Sequence, residues 1–177
     1  MKIIHIVGRQ KNGKTTLIVD LIAEMKKHGI RVGTLKHSSH AHELDKPGKD
    51  SFLHRKAGSI PSAVATKDQI AVFLPRDPHE NPFEKIAPLF NNTDLVLVEG
   101  YGSGPGKKVE VWRKEAGTSP LVFDRDNIEA VITDDPIKTD RPVWPRNDIR
   151  RLMNLILELA DLKKPSDCFQ DIHLASS

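Results

Sequence analysis

A chain of 177 residues with 38% hydrophobic content is long enough for one compact domain with a core of its own. Its formal net charge of +3, with both signs mixed along the chain, is too small to demand nucleic acid as a partner, and a phosphate-bearing ligand is enough to explain it. The lone cysteine, Cys168, excludes an intrachain disulfide and a cysteine-based metal knuckle, and no apolar run reaches the length of a membrane span. A cytoplasmic location is the expectation, since Met1–Val7 is interrupted by Lys2 and His5 and runs into Arg9 and Lys11, unlike a secretory leader.

In chain order, Lys2–Val7 is a β-branched run ending at Gly8, which reads as a buried strand. From Thr15 to His28, apolar residues Leu17, Ile18, Leu21, Ile22 and Met25 recur at helical spacing, with Gly29 offered as a C-cap. Arg31–Leu35 reads as the next strand, and this β–α–β connection implies parallel neighbours. Ser51–Ala57 suits a short helix, and Ser62–Thr66 with Ile70–Leu74 a hairpin. Pro82–Phe90 reads as a helix, Asp94–Glu99 as a strongly apolar strand, Lys108–Arg113 as an alternating strand and Ile128–Thr133 as another strand. Asp148–Leu162 closes the series as an amphipathic helix. The alternation predicts an α/β protein with three layers, a mostly parallel twisted sheet between helices, and an antiparallel hairpin that extends one side together with Lys108–Arg113. Residues 1–162 are expected to form one nucleotide-binding domain and Lys163–Ser177 a loosely held tail.

Chemistry is concentrated in Gly8-Arg9-Gln10-Lys11-Asn12-Gly13-Lys14-Thr15, which satisfies the P-loop pattern G-x-x-x-x-G-K-[ST] between a strand and a helix. Glycines let the backbone curl so that N–H groups face phosphate oxygens, and the helix start adds its dipole to the same anion. Lys14 is expected to reach the outer phosphates as a point charge, and the Thr15 hydroxyl to enter the coordination sphere of Mg²⁺. A further acid is needed near the metal. Glu99 supplies it at the tip of Asp94–Glu99, where ligands bind in open α/β sheets; its alternative is a solvated strand-end charge.

Taken together, these residues resemble the molybdopterin-guanine dinucleotide biosynthesis protein B (MobB) family. The likeness rests on Gly8–Thr15 with Thr16, on Lys36-His37, on Asp45-Lys46-Pro47-Gly48-Lys49-Asp50-Ser51 with His54-Arg55 and Ala57-Gly58, on Val98-Glu99-Gly100-Tyr101, on Lys108–Arg113 and on Thr133-Asp134-Asp135-Pro136. Asn12 departs from the small serine common there, and the loop Gly102–Gly106 is unusually rich in glycine. The resemblance implies a cytoplasmic homodimer that binds GTP with Mg²⁺, hydrolyses it weakly at most, and works with the molybdopterin guanylyltransferase, with molybdopterin itself as a candidate ligand. It also implies a switch-like segment in which Asp45 and Asp50 reach the metal or the γ-phosphate. Asp134 and Asp135 are the nearest candidates for guanine recognition; an Asx turn at a strand end is the competing reading.

Two other classes remain open at this level. A small-molecule kinase or ATP-dependent ligase would use the basic, histidine-containing stretch Lys36–Lys56 to hold an acceptor, and a non-catalytic interaction module would bind nucleotide only for stability. His37, His40, His42 and His54 invite a zinc site, but a polar loop does not by itself supply tetrahedral geometry. Trp112 and Trp144 read as packing residues.

Overall fold

The computed structural model describes residues 1–38, 40, 42–77 and 79–163. The expected tail therefore lies outside the described residues except for Lys163, as does Cys168. The chain divides into two compact units, one of Met1–Ser38 with the chain from Pro88 onward, the other of Ser39–Ala87.

The first unit is built on a six-stranded, wholly parallel sheet. Its strands are β1 (Ile3–Val7), β2 (Val32–Lys36), β5 (Leu95–Glu99), β6 (Lys107–Val111), β7 (Ala130–Ile132) and β8 (Val143–Trp144), in the order β2-β5-β1-β6-β7-β8. Helix α1 (Lys14–Lys27) follows β1, and α4 (Ile149–Leu159) follows β8. Alternation along each strand divides the side chains between two faces. Ile4, Ile6, Val109 and Val111 join Leu17, Leu21, Met25, Leu152 and Ile156 of the helices in the main core. On the opposite face Val7 packs with Leu121 and Ile128 in a smaller cluster. The α/β architecture with a mainly parallel sheet is thus as the sequence predicts.

In this unit three details differ from expectation. The strands either side of α1 are parallel but not neighbours, because β5 takes the place between them. Four of its five residues, Leu95–Val98, are fully buried, so burial on both faces drives that strand inward. The strand expected at Lys108–Arg113 does not extend the sheet but lies at its centre, between β1 and β7. Its polar members look solvent-facing in sequence, yet Lys108 and Glu110 are buried and bonded. Lys108 Nζ donates to Gly106 O at 2.9 Å, and the Glu110 carboxylate accepts the N–H groups of Leu121 and Val122 at 2.6 and 2.8 Å. Strand β8 is unforeseen, being two residues between Pro142 and Pro145.

The second unit contains α2 (Asp50–Lys56), the antiparallel pair β3 (Ser62–Ala65) and β4 (Ile70–Phe73), and α3 (Pro82–Ile86). The hairpin is present as predicted, but it forms a two-stranded sheet of its own and shares no strand pairing with the large one. Helix α3 stops early and gives way to a 3₁₀ turn over Ala87–Phe90. Pro88 explains the break, since it lacks an N–H and its ring clashes with the carbonyl four residues back.

Candidate functional site

All six strands of the large sheet point the same way, so their carboxyl ends share one edge, where open α/β sheets place ligands. At the middle of that edge β1 runs into Gly8 at φ 143°, and Lys11 and Gly13 also take positive φ, at 63° and 81°. A Cβ on Gly8 would collide with the Val111 carbonyl oxygen, so only glycine fits beside β6. Helix α1 starts with no side-chain N-cap and no acidic residue in its first turn. Its exposed N–H groups and dipole are left to an outside anion. The Lys14 ammonium lies over this curl, donating to Gly8 O and Arg9 O, both at 2.9 Å. Burial holds it below the ordinary lysine value, with Glu99 opposing and Lys36 reinforcing that effect.

Several loop side chains turn out to brace the curl. Asn12 is buried, donating to Arg9 O, Gln10 O and Thr118 Oγ1 and accepting the Arg113 N–H at 2.7 Å. This accounts for an asparagine where a small serine was expected. Arg9 donates to Ser119 O at 3.1 Å and pairs with Asp124 at 3.2 Å, tying the loop to the segment that Glu110 anchors. These two side chains hold loop shape, which leaves phosphate contact to their backbone. Gln10, Lys11, Thr15 and Thr16 are exposed.

On the β5 side of the loop, Thr15 Oγ1 donates to Glu99 Oε1 at 2.9 Å across 84 residues of sequence. Lys36 Nζ stands 3.4 Å from the same carboxylate oxygen. Thr15, Ile18, Leu35, Lys36, Leu97 and Glu99 help to line a cavity of about 200 Å³ between α1 and these strands. A hydroxyl beside a carboxylate is the hard-oxygen donor set that Mg²⁺ accepts, so the residues fit that ion. Beyond Glu99, Tyr101 stacks on His37 with centroids 4.2 Å apart and takes φ 58°, which gives the loop after Glu99 a defined turn.

Of the remaining expected carboxylates, Asp134, Asp135 and Asp45 are already engaged. Asp134 Oδ1 accepts the N–H groups of Arg146 and Asn147 at 2.8 and 3.1 Å, and Asp135 Oδ2 that of Lys114 at 2.9 Å. Both therefore shape turns at the carboxyl edge beyond β7. Asp45 and Asp50 belong to the second unit. Asp45 is buried there, accepting from Ser51 Oγ at 3.0 Å, Lys46 N at 2.8 Å and Arg55 Nε at 3.3 Å, which makes it an anchor for α2. Asp50 opens α2 and is exposed. Among the described residues no group of three or more His, Cys, Asp or Glu is arranged to hold a metal ion. The structure also brings the Arg113 guanidinium beside Gly13, a placement that no local sequence signal announces, since Arg113 simply ends an alternating strand.

A parallel sheet whose central strand ends in a glycine curl, lysine and threonine at a helix start, with a carboxylate on the adjoining strand, defines a P-loop NTPase-like α/β protein. Comparison with known proteins agrees. Residues 3–134 match the family MobB, Molybdopterin guanine dinucleotide synthesis protein B. The molybdopterin-guanine dinucleotide biosynthesis adapter protein of Escherichia coli (strain K12) is 36% identical over 151 residues, 82% of this chain and 86% of that protein. Its namesake from Haemophilus influenzae is 35% identical over 156 residues, 87% of this chain and 86% of that protein. The crystal structure of Bacillus subtilis MobB superposes with a TM-score of 0.70 at 26% identity, over 92% of this chain and 99% of that one. The MobB homolog from Bacillus stearothermophilus gives 0.64 at 26% identity, over 91% and 99%. The chain belongs to the MobB family.

Proposed function

We propose that the protein is a GTP-binding accessory of molybdenum cofactor biosynthesis, assisting the conversion of molybdopterin to molybdopterin guanine dinucleotide, with weak GTPase activity at most. The observation that carries the nucleotide part is the curl at Gly8–Thr15 with Thr15 and Glu99 in contact at its mouth. Backbone N–H groups from Gly8 to Thr16 would cradle the phosphates. Lys14 would exchange its two carbonyl contacts for the β- and γ-phosphate oxygens, which attract it more strongly. Thr15 and Glu99 would hold Mg²⁺, directly or through water, and the ion would supply neutralisation of phosphate charge. Assignment of guanine rests on family membership and on the place of Asp134 and Asp135 after β7, where one oxygen of each carboxylate already serves a turn.

The partner reading follows the family as well: the guanylyltransferase that uses molybdopterin, a second copy of this chain, and a cytoplasmic setting. No helix among the described residues is long and apolar enough to cross a membrane. Calorimetric titration of GTP and ATP with Mg²⁺ tests the proposal. Tighter binding of GTP, abolished in Lys14→Ala, is expected. Equal or tighter ATP binding would remove the guanine assignment, and binding of neither nucleotide would remove the nucleotide site.

A further inference from the structure

Past β6 the chain crosses the P-loop, held there by the bond from Arg113 N–H to Asn12 Oδ1 across 101 residues of sequence. The Arg113 side chain then lies over the loop. A Cβ built on Gly13 would stand 3.0 Å from both Cζ and Nη2 of its guanidinium. Arg113 Nη1 pairs with Glu115 at 3.2 Å, but that glutamate is 74% exposed, and such a surface pair is readily exchanged.

A second guanidinium lies close enough to feel the charge of the first. Arg146, in the turn after β8, keeps only 11% of its side chain exposed, and its Nε is buried without a hydrogen-bond partner. Its ion pair with Asp20 of α1 is long, at 3.9 Å. Burial, and then the Arg113 charge, pull Arg146 below the ordinary guanidinium value, while Asp20 and Asp134 oppose them. Both groups nonetheless stay cationic near neutrality. Asp20 at 3.9 Å and exposed Glu115 compensate these two like charges only weakly, so a further anion between them would be stabilising.

Strand order tells which part of a ligand they meet. Thr15, Glu99 and Lys36 occupy the β5 and β2 side of the P-loop, whereas Arg113 and Arg146 come from the β6 and β8 side. A triphosphate with its metal-bound end at Glu99 extends its inner phosphates toward the arginines. We propose that Arg113 and Arg146 form an arginine clamp, supplied in cis, on the α- and β-phosphates of the nucleotide held by the P-loop. This rests on the nucleotide-binding reading above. The planar guanidinium can bond two phosphate oxygens at once, which an ammonium cannot.

Titration of fluorescent mant-GDP and mant-GTP, each with Mg²⁺, into wild type, Arg113→Ala, Arg113→Lys, Arg146→Gln and Lys14→Ala separates the possibilities. Arg113→Ala is expected to raise Kd for both nucleotides by about tenfold to a hundredfold, the range of a hydrogen bond to a charged group. Arg113→Lys should fall between, keeping charge without the fork, and is the more conservative second variant. Arg146→Gln should weaken both nucleotides by a smaller factor. Unchanged Kd in both Arg113 variants, with binding abolished in Lys14→Ala, would overturn the clamp and leave the P-loop site standing. Loss confined to mant-GTP would also overturn it, because the contact would then be to the γ-phosphate. A wild-type protein that binds neither nucleotide would remove the underlying site and the clamp together.

Discussion

His5 shows how one residue in the sheet sets a response to pH. It is fully buried on β1, on the opposite face from Ile4 and Ile6, and Nε2 lies 2.7 Å from Pro105 O, to which it donates. Burial holds the imidazole below its ordinary value of 6.5, with the Pro105 carbonyl opposing and the Lys108 charge reinforcing. Above that ordinary value both folded and unfolded chains carry a neutral His5, and the group contributes no pH dependence. As pH falls below it, the unfolded chain binds a proton that the folded chain refuses, so stability declines until the lowered folded value is reached. Melting temperatures from about pH 7 to about pH 5 should therefore fall less steeply in His5→Gln than in wild type. Parallel slopes would show that His5 titrates alike in both states. At this scale the placement of Lys14, Thr15 and Glu99 at one edge of the sheet was legible from residue type and position, while the bracing roles of Asn12 and Glu110 were not. Their partners, Arg113 N and the amides of Leu121 and Val122, are brought to them only by the fold.

Among the elements, α4 combines a local signal with a tertiary one. Asp148 caps it, accepting the Arg151 N–H at 2.9 Å, and Leu152, Met153, Ile156 and Leu157 form its buried face in the main core. Removing the cap and removing core volume should have different magnitudes. Asp148→Ala is expected to lower stability by about 1 kcal/mol. Ile156→Ala, which leaves a cavity at a fully buried position, should cost about 2 to 5 kcal/mol in the same urea titration. Equal effects would mean that the helix is held by its end rather than by its face. Helices α1, α2 and α4 were all legible because an amphipathic period or a capping pattern announces them. Strand β6 was misplaced at an edge because alternation of polar and apolar residues cannot distinguish water from buried partners on the polar face. The break in α3 was available in principle, since Pro88 stands in the expected helix.

For the molecule as a whole, the proposed pairing with a second copy of the chain can be tested at the hairpin β3–β4, whose strands are exposed. Ile70 and Val72 are 75% and 49% exposed, and each strand of a two-stranded sheet has an unpaired edge. Such edges recruit further strands unless they are blunted by charge or covered. If the homodimer forms here, Ile70→Lys with Val72→Glu should shift sedimentation from dimer to monomer while leaving nucleotide affinity in the P-loop unchanged. A double variant that still sediments as a dimer would place the interface elsewhere.

What the sequence by itself determined was whatever depends on contiguous residues. Gly8–Thr15 contains its own turn residues, its own charge and its own helix start, so the expectation of a glycine curl open to an anion follows from eight neighbours. The tertiary structure alone decided which distant groups face that loop. Insertion of β5 beside β1 sets Glu99 against Thr15, and the central place of β6 carries Arg113 across Gly13. The order of strands depends on which of them can be buried on both faces. That is a property of the assembled sheet, which no window of sequence contains.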